Sequence, residues 1–437
     1  MNVFERLHGV DISPANSRIA IIGGGIAGLT AGYLLHDRYD VTLFERSERL
    51  GGNACTITAP DGQEVDIAVA VYGGRSYKNL LGLFKRIKIE TVGPFSFRGP
   101  FGLGGSFLNL DTREGIYLTP SLQGVLSQRF RILRPVQAFV LIELLRGLKK
   151  VNRLLVKGSL EGLTVEDMLR TYRIFRGDAA LLYLGSLCLI SSMHCEDLLR
   201  APASFFADKA RVYHDLLPPE ALFSVRLTKF RTRKYLEALA APYGDRVVLR
   251  SGIESVERKN NGVILRFQDK RAEGFDKVIF ACNADQALRM LADPTPEEQR
   301  LLGAWTYTEG RVVVHSDTTC FPKRELMNGY TFLYRRKGEF FETSVSGALW
   351  SLPGVSRSCR LISTQHPNFP IDPGRIIFEK VFRTPLFDFN SCRTIPTLPS
   401  LNGVLNTYYC GSHFGFGLHE DAVTSAMTVA RLLHVVV

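Results

Sequence analysis

The sequence lacks several features that mark particular classes of protein. No run of about 18 consecutive apolar residues occurs in the 437-residue chain, so there is no sequence signal for a membrane span. The eight cysteines are scattered without a C-x-x-C pair, which argues against a zinc site or a disulfide framework and fits a reducing cytoplasm. The first residues contain no apolar stretch typical of a secretory signal. We therefore expect a cytoplasmic globular protein without a metal site.

The charge balance is the compositional feature that departs most from an ordinary globular protein. The chain has 54 Lys and Arg against 43 Asp and Glu, a formal net charge of +11. A basic excess favours an anionic partner, such as lipid headgroups, nucleic acid or an acidic substrate. No nucleic-acid-binding motif and no ladder of aromatic and basic residues accompanies it, so nucleic acid is not an expected partner. The oligomeric state stays open.

The segment after residue 17 predicts a dinucleotide-binding turn. An apolar strand over residues 18–22 runs into Gly23-Gly24-Gly25-Ile26-Ala27-Gly28, and an apolar helix follows. In this arrangement Gly23 permits the tight turn, Gly25 lets the backbone approach a pyrophosphate, and Gly28 lets helix and strand pack closely. The helix N-terminus supplies N–H groups for the phosphates. The predicted pyrophosphate-binding residues are Gly23, Gly25, Ile26, Ala27 and Gly28.

A second strand and a second glycine pair complete the pattern. The strand over residues 40–44 ends in Glu45, about 20 residues after Gly23, where a carboxylate is expected to bind the ribose hydroxyls. The next residues have the form E-R-x-x-R-x-G-G, which resembles the flavin amine oxidase and phytoene desaturase superfamily. In those proteins the dinucleotide is FAD. The resemblance implies a non-covalent FAD site that includes Glu45, Arg46, Arg49, Gly51, Gly52 and Asn53.

The resemblance extends over nearly the whole chain, through residues 65–72, 283–288, 293–298, 314–317 and 417–421. Within the superfamily it is nearest to bacterial FAD-binding oxidoreductases often encoded near modified-fatty-acid genes. It implies that the backbone of Ile253 pairs with the adenine edge, that Gly411 meets the pyrophosphate, and that a helix from His419 directs its N–H groups at the flavin. The further FAD contacts implied are Val69, Ala70, Ile253, Ala281, Gly411, His419, Glu420, Asp421 and Ala422.

The order of strand and helix patterns predicts an α/β fold with two domains. A Rossmann-like FAD-binding domain is assembled from three segments, because short strands recur in each of them. The remaining blocks form a mixed α+β substrate domain. The predicted boundaries are 1–90, 221–300 and 395–437 for the FAD-binding domain, and 91–220 and 301–394 for the substrate-binding domain.

Three departures from the superfamily pattern bear on the substrate. Many amine oxidases place a lysine on the strand after the second nucleotide segment, but the strand over residues 311–315 has none. The position of the aromatic cage near the C-terminal helix is Leu418. A cation–π contact in a desolvated cage contributes about 2 kcal/mol, so its absence argues against a small charged amine. The bulkier residues 67–71 are expected to reshape the wall beside the flavin.

Few polar residues are indicated for catalysis. His315 is a possible general base or proton shuttle, because its pKa normally lies near the working pH, although a lone strand histidine is more often structural. Tyr72 and Tyr409 are expected either to line the flavin pocket or to pack beneath the cofactor. Leu418 is expected to form a pocket wall. These four residues are the predicted catalytic set.

Two basic segments have alternative interpretations. Residues 125–157 predict a helix with leucines on one face and, on the other, Arg146, Lys149, Lys150, Arg153 and Lys157. Such a helix is typical of a segment on an anionic membrane surface, although most amphipathic helices are core helices with a solvated face. A second cluster over residues 226–234 either binds an acidic headgroup or faces solvent.

The function these features favour is that of an FAD-dependent oxidoreductase. We expect it to act on a C–H bond of a hydrophobic, acyl or lipid-like substrate, with desaturation or isomerisation as the outcome. The cofactor would perform the redox step while the protein positions the substrate and excludes water. One alternative is a flavin amine oxidase that gives an imine and hydrogen peroxide. Another is a non-catalytic FAD-binding protein on the same scaffold.

Overall fold

The computed structural model describes most of the chain. The described residues are 16–68, 71–93, 105–118, 135–175, 177–217, 220–259, 261–321, 329–337, 340–352, 354–356 and 358–437. The predicted FAD contacts Val69 and Ala70 lie outside them, as do residues 125–134 of the predicted basic helix.

The strands are short and fall into several sheets. In chain order they are β1 Arg18–Ile22, β2 Asp40–Phe44, β3 Cys55–Thr58, β4 Glu64–Ala68, β5 Thr91–Val92, β6 Gly105–Asn109, β7 Gly115–Leu118, β8 Leu227–Thr228, β9 Val247–Val248, β10 Ile253–Lys259, β11 Gly262–Phe267, β12 Ala272–Phe275, β13 Lys277–Phe280, β14 Tyr307–His315, β15 Tyr330–Lys337, β16 Phe340–Ala348, β17 Ile362–Gln365, β18 Ile376–Pro385 and β19 Thr407–Tyr409.

The helices lie between these strands. They are α1 Ile26–Leu35, α2 Lys78–Arg86, α3 Pro135–Val156, α4 Val165–Tyr172, α5 Asp178–Ser191, α6 Cys195–Arg200, α7 Ala203–Val212, α8 Ala221–Ser224, α9 Thr232–Ala240, α10 Ala284–Met290, α11 Pro296–Leu302, α12 Phe389–Thr394 and α13 His419–Leu432. Within the described part of the chain, none is both long and apolar enough to cross a bilayer.

A parallel sheet collects strands from distant parts of the chain. Its order is β19-β13-β1-β2-β9, with Ile21 of β1 opposite Leu43 of β2 and Ile279 of β13. The central strands are buried on both faces, as parallel strands covered by helices require. Helix α1 is apolar nearly all round, and every residue of it except Tyr33 is buried. The carboxyl ends of β1 and β2 therefore open into a covered crevice, the usual position of a ligand in such sheets.

A second, larger sheet lies in the middle of the sequence. Its order is β18-β14-β17-β16-β15-β6-β7, and it is antiparallel except where β15 pairs with β6. Smaller sheets join β10, β11 and β12, β3 with β4, and β5 with β8. The structure is thus α/β, with a Rossmann-like parallel sheet accompanied by a mixed α+β portion, as the sequence predicts.

The predicted strand pattern between residues 246 and 283 is closely matched. The turn at Asn261-Gly262 joins β10 to β11 in an antiparallel pair, and β13 returns to the parallel sheet beside β1. The additional strand β12 was not predicted. It pairs with β11, and three of its four residues are exposed or only partly buried. Its sequence therefore shows no strong alternation of apolar and polar residues.

Candidate active site

Two glycine turns meet at the carboxyl edge of the parallel sheet. The N–H of Gly23 donates to the carbonyl of Phe44 (2.8 Å), and the N–H of Gly51 donates to the carbonyl of Gly24 (2.7 Å). Gly23 has a φ of +117°, a conformation that side-chain-bearing residues rarely adopt. The sequence elements E-R-x-x-R-x-G-G and G-G-G-x-x-G are therefore brought into direct contact.

The space around these glycines shows what each position can accommodate, and their contact with a pyrophosphate stays a prediction. A β-carbon on Gly28 would lie 1.9 Å from the carbonyl oxygen of Gly23, so only glycine allows this packing of helix on turn. A β-carbon on Gly25 would meet no atom within 4 Å, because Gly25 faces open space. Gly25 is also the N-cap of α1 and makes no side-chain cap. A bare helix N-terminus beside an open glycine fits a pyrophosphate.

Glu45 is held in place at the end of β2. Its Oε2 accepts from the N–H of Gly24 (2.7 Å), and its Oε1 accepts from the N–H (2.8 Å) and the hydroxyl (2.7 Å) of Ser47. The side chain is largely buried, but the residue lines the cavity described below. The carboxylate is therefore fixed beside the glycine turn, where it can accept from ribose hydroxyls.

Arg49 supports the second glycine turn. Its guanidinium donates to the carbonyls of Leu50 (3.2 Å), Ala54 (2.9 Å) and Gly52 (2.9 Å). These bonds hold the chain reversal at Gly51-Gly52 while Arg49 still lines the cavity. Its main structural contribution is thus to the shape of the turn.

One cavity of about 650 Å³ extends from the glycine turns toward the larger sheet. Most of the predicted cofactor-binding residues line it, and their contact with FAD stays a prediction. They are Gly23, Gly25, Ile26, Ala27, Glu45, Arg46, Arg49, Gly51, Gly52, Asn53, Ala281, Gly411, His419 and Ala422. Ile253 does not line it; this residue pairs with Phe267 of β11, and its contact with an adenine stays a prediction.

The N-terminus of α13 closes the cavity from the side of the parallel sheet. Leu418, His419 and Ala422 line it, as predicted for Leu418, whereas the next two carboxylates point elsewhere. Glu420 accepts from the N–H groups of Asn79 (2.8 Å) and Leu80 (2.9 Å) at the start of α2. Asp421 accepts from the N–H of Leu418 and the hydroxyl of Tyr213. These two side chains therefore position the helix and do not form the cavity surface.

Comparison with known proteins decides the family. The family model for flavin containing amine oxidoreductase matches residues 26–360, about three quarters of the chain. The chain belongs to this family. Membership confirms the predicted superfamily, the predicted FAD cofactor and the class of flavin-dependent oxidoreductase.

Curated relatives match only a small part of this amine oxidoreductase family member. Flavin-containing amine oxidase B of Mus musculus is 32% identical over 100 residues, which are 20% of this chain and 19% of that protein. The enzyme of Homo sapiens is 31% identical over 98 residues, again 19% of each. The chain thus spans about a fifth of the length of the curated relatives it matches.

Solved structures match over nearly the full length at low identity. A CLA-producing fatty acid isomerase from P. acnes has a TM-score of 0.67 at 18% identity, over 95% of this chain and 98% of that one. A redesigned triple mutant of putrescine oxidase has 0.69 at 14%, over 97% and 99%. Cyclohexylamine oxidase from Brevibacterium oxydans IH-35A has 0.65 at 14%, over 96% and 100%. These matches confirm the amine oxidoreductase fold.

His315 lies away from the cavity, contrary to the prediction of a catalytic role. It is fully buried on β14, where its Nε2 is 2.8 Å from the hydroxyl oxygen of Thr364, and Phe321 and Phe369 pack around it. Gly310 and Val312 of the same strand do line the cavity. Because side chains alternate along a strand, His315 belongs to the opposite face.

Neither predicted tyrosine lines the cavity. Tyr409 on β19 stacks on Phe280 and donates its hydroxyl to Glu298, which pairs with Arg258. Tyr72 is completely buried one layer behind His419. Its backbone pairs with Arg226, and its role is packing beneath the site. A different tyrosine, Tyr77, reaches the cavity surface.

His366 is a cavity residue that the sequence did not indicate. It follows β17 with a φ of +49°, and its ring lies 3.9 Å, centroid to centroid, from that of His194. Burial and, to a smaller extent, the neighbouring His194 lower the pKa of His366 to about 4. A left-handed conformation in a non-glycine residue stores strain of the kind found at functional sites. Because its pKa is about 4, the imidazole of His366 is neutral at pH 7.

His413 and His419 also line the cavity. Burial lowers the pKa of each of these histidines to about 4. The ring nitrogen Nε2 of His419 is 3.3 Å from the hydroxyl oxygen of Tyr235. His413 packs against Trp305 and lies beside Gly411. Both imidazoles are thus neutral at pH 7, and they add no positive charge to the cavity.

Cys282 is the cysteine that lines the cavity within the described residues. Burial raises the pKa of its thiol to about 12, with small contributions from Asp285 and Glu45. A thiol held neutral is a poor nucleophile, because the thiolate is the reactive form. Its chemistry therefore gives no support to a covalent link with the flavin.

The basic helix is present as α3, with an unusual outer face. Val140, Leu144 and Val151 are buried against the protein. Contrary to prediction, Leu145 is exposed (46%), and so are Phe139 (56%), Ile142 (46%) and Val156 (77%). Exposed apolar side chains thus accompany the basic residues. Of these, Arg146 pairs with Glu143 (3.3 Å), and Lys150 donates to the carbonyl of Tyr172 (2.6 Å).

The second basic cluster is largely neutralised within the protein. Lys229 pairs with Glu90 (2.7 Å), Arg233 pairs with Glu64 (2.5 Å), and Lys234 lies 3.8 Å from Glu237. Arg231 is buried near Asp66, whose charge opposes the lowering of its pKa by burial. Of the two alternatives for this cluster, an acidic-headgroup site has little free charge left to use.

Proposed function

We propose that this chain is an FAD-dependent oxidoreductase that acts on a C–H bond of a hydrophobic acyl substrate. The observation that carries the proposal is the chemistry of the cavity wall beyond the glycine turns. It is formed mainly by Ala68, Val71, Phe107, Leu189, Ile190, Leu216, Val225, Val312, Phe332, Phe382, Phe387 and Leu418. Such a surface favours an apolar chain, because burying apolar area is the main source of affinity there.

The carboxylate that lines the cavity within the described part of the chain lies at its nucleotide end. Glu45 is the only carboxylate among the described residues that line the cavity, and it sits beside the glycine turn. A protonated amine deeper in the cavity would therefore lack a carboxylate partner, and burying an unpaired charge is costly. This supports a neutral or acyl substrate over a cationic amine.

Bound FAD would supply the two-electron acceptor for a hydride from the substrate. For desaturation, one C–H bond breaks with its electron pair leaving as hydride, and a proton then leaves the adjacent carbon as the double bond forms. We assign His366 as the proton acceptor, since it is a neutral imidazole at the cavity wall. A carbon that has lost hydride is electron-deficient, so a weak base suffices. Dioxygen, or another acceptor, must finally take the two electrons.

Redox-neutral isomerisation is the close alternative at the same site. There the hydride returns to a different carbon, the double bond moves, and no external acceptor is consumed. The fold is shared with a fatty acid isomerase and with amine oxidases alike, so fold does not choose between them. Substrate tests must therefore distinguish bleaching of the flavin from a change in the product alone.

The test is an anaerobic titration of the purified holoenzyme. One panel contains saturated and unsaturated fatty acids with their methyl esters, and the other contains benzylamine, putrescine and cyclohexylamine. Loss of the oxidised flavin absorbance with acyl compounds and a product lighter by two hydrogens supports desaturation. A product of unchanged mass with a moved double bond supports isomerisation. Bleaching by amines alone overturns the proposal, and an unchanged spectrum together with unchanged compounds favours the non-catalytic alternative.

We further propose that the outer face of α3 rests on an anionic lipid bilayer. Its exposed apolar residues Phe139, Ile142, Leu145 and Val156 alternate with the exposed basic residues Lys149 and Arg153. Apolar groups at the acyl boundary with lysine and arginine at the headgroups are the pattern of interfacial helices. The protein would then take up a hydrophobic substrate directly from the bilayer in which that substrate is dissolved.

A further inference from the structure

Lys209 is a completely buried lysine beside the cavity that the proposed chemistry does not use. It lies on α7, and its Nζ donates to the hydroxyl oxygen of Ser191 (2.8 Å) and to the carbonyl of Phe416 (2.9 Å). The rings of Phe206 and Phe387 lie 5.7 and 5.5 Å from the same nitrogen. Burying an ammonium among aromatic rings is costly unless the charge is used or balanced.

The groups facing Lys209 balance its charge only in part. Burial lowers its pKa to about 7, whereas Asp421 on α13 and Cys392 on α12 act in the opposite direction. Asp421 is itself occupied, because it accepts from the hydroxyl of Tyr213 (2.9 Å) and from the N–H of Leu418 (2.8 Å). Asp421 therefore offsets the charge of Lys209 only in part.

Ser191 connects this lysine to the cavity. It is the last residue of α5 and lines the cavity wall. An ammonium only donates, so Ser191 must accept from Lys209 and keeps its own hydroxyl hydrogen available. Among the described residues, the hydroxyl of Ser191 makes no other hydrogen bond. The hydroxyl of Ser191 is therefore a donor strengthened by a cation, and it has no acceptor among the described residues.

Another cavity serine on the same helix provides a contrast. Ser186 also lines the cavity, but its hydroxyl donates to the carbonyl of Leu182 (2.7 Å) within the helix. Its hydrogen is thus consumed, which is the common arrangement for serine in a helix. Ser191 differs because Lys209 occupies its oxygen and leaves the hydrogen free.

We propose that Ser191, polarised by Lys209, donates a hydrogen bond to the carbonyl oxygen of the acyl substrate. The inference rests on the proposed function and names a polar contact within the largely apolar wall. A neutral carbonyl fits better than a carboxylate for two reasons. Asp421 already offsets part of the lysine charge, and the C-terminus of α5 carries a partial negative charge.

The test compares ligands of matched length on the holoenzyme, followed by the shift in flavin absorbance. Methyl decanoate carries the ester carbonyl, undecane lacks it, and decanoate carries a charge. We expect the wild type to bind methyl decanoate about tenfold more tightly than undecane. Ser191→Ala should remove this preference and leave the affinity for undecane unchanged. Ser186→Ala is the matched control and should keep the preference.

Lys209→Met tests the contribution of the lysine through Ser191. It should lose the ester preference as Ser191→Ala does, and the double variant should lose no more than either single one. If Ser191→Ala keeps the preference for the ester, the inference is wrong while the apolar cavity stands. Tighter binding of decanoate than of the ester overturns the choice of a neutral carbonyl. If the wild type binds none of the three ligands, the acyl substrate itself is wrong.

Discussion

A β-carbon added to Gly310 would lie 2.9 Å from Cε1 of His366, so the histidine ring occupies the space where a side chain from β14 would enter the cavity. This is the strand on which many amine oxidases carry a lysine. The polar group at this part of the wall thus comes from the loop after β17 instead. The ring of His366 therefore fills the part of the cavity wall that a side chain on β14 would otherwise fill, and this strand has no lysine.

Gly310→Ala is expected to displace the ring of His366. The extra methyl group should cost about 1–3 kcal/mol of stability through overpacking, and a ring moved toward water should regain a higher pKa. The measurement is a pH titration of the histidine Hε1 signals by NMR, with His366→Gln to assign the signal. Gly274→Ala is the control, because a β-carbon there meets no atom within 4 Å. An unchanged titration of His366 in Gly310→Ala would contradict this relationship.

Glu45→Ala should weaken FAD binding about tenfold to a hundredfold. The loss of a charge-assisted hydrogen bond costs on the order of 1.5–3 kcal/mol, and the N–H of Gly24 also loses its partner. The dissociation constant can be followed by quenching of flavin fluorescence, with circular dichroism to check the fold. Glu48→Ala is the control, because Glu48 is exposed and pairs only with Arg250 among the described residues. Equal affinities in the two variants would mean that the ribose lies elsewhere.

The purified protein should be yellow and should release its FAD on acid precipitation. The thiol of Cys282, which faces the cavity, is held neutral by burial and is not prepared for a covalent bond. The absorbance of the supernatant and of the pellet measures the outcome directly. Colour that stays with the pellet would show a covalent flavin, and a colourless folded protein that ignores added FAD would contradict the cofactor assignment.

The protein should sediment with anionic vesicles at low salt and be released as the salt concentration rises. Each basic residue near such a surface contributes about 1 kcal/mol, and the Debye length falls from about 10 Å at 0.1 M to about 3 Å at 1 M. Lys149→Glu with Arg153→Glu should abolish sedimentation without loss of flavin. Lys85→Glu with Lys88→Glu makes the same charge change elsewhere and should have little effect. A wild type that ignores phosphatidylserine vesicles would leave α3 as ordinary surface.

The free energy of unfolding should fall as the pH drops from about 6.5 toward 4. His413 and His419 have pKa values lowered to about 4 by burial, below the value of 6.5 for an exposed histidine. The unfolded chain therefore binds more protons in this window, and each histidine contributes a slope of about 1.4 kcal/mol per pH unit. Urea unfolding of wild type and His419→Gln at several pH values checks this. A slope that is the same in both proteins would show that His419 is not held neutral.

The sequence predicted the parts of the site that depend on local chain geometry. Gly23, Gly28 and Glu45 lie where expected, because a strand, a tight turn and a helix leave little freedom in so short a segment. The helix N-terminus at His419 was predicted for the same reason. The finer distinction that Glu420 and Asp421 point away from the cavity was missed, since it depends on the helices packed beside α13.

The residues proposed to act on the substrate were harder to predict, because their position depends on which face of a sheet is covered. Nothing in the local sequence of β14 indicated that Gly310 and Val312 line the cavity while His315 does not. His366, Ser191 and Lys209 become neighbours of the cavity only through contacts between distant elements. Lys209 in particular belongs to a helix whose sequence gives no sign that its charge is enclosed. Ser191, Lys209 and His366 are too far apart in the sequence to form a recognisable motif.

The assembly of the parallel sheet from distant segments has a consequence for how the protein is made. The hydroxyl of Tyr39, just before β2, donates to the carbonyl of Leu433, 394 positions later. The glycine turn near the start of the chain therefore emerges from the ribosome long before the strand and helix that complete its surroundings. Long-range pairing of this kind slows folding, and the half-built crevice exposes apolar strand edges meanwhile. Nascent chains stalled before residue 407 should bind chaperones and should not bind flavin. Chains extended past α13 should bind flavin, which is measured as quenching of the flavin fluorescence.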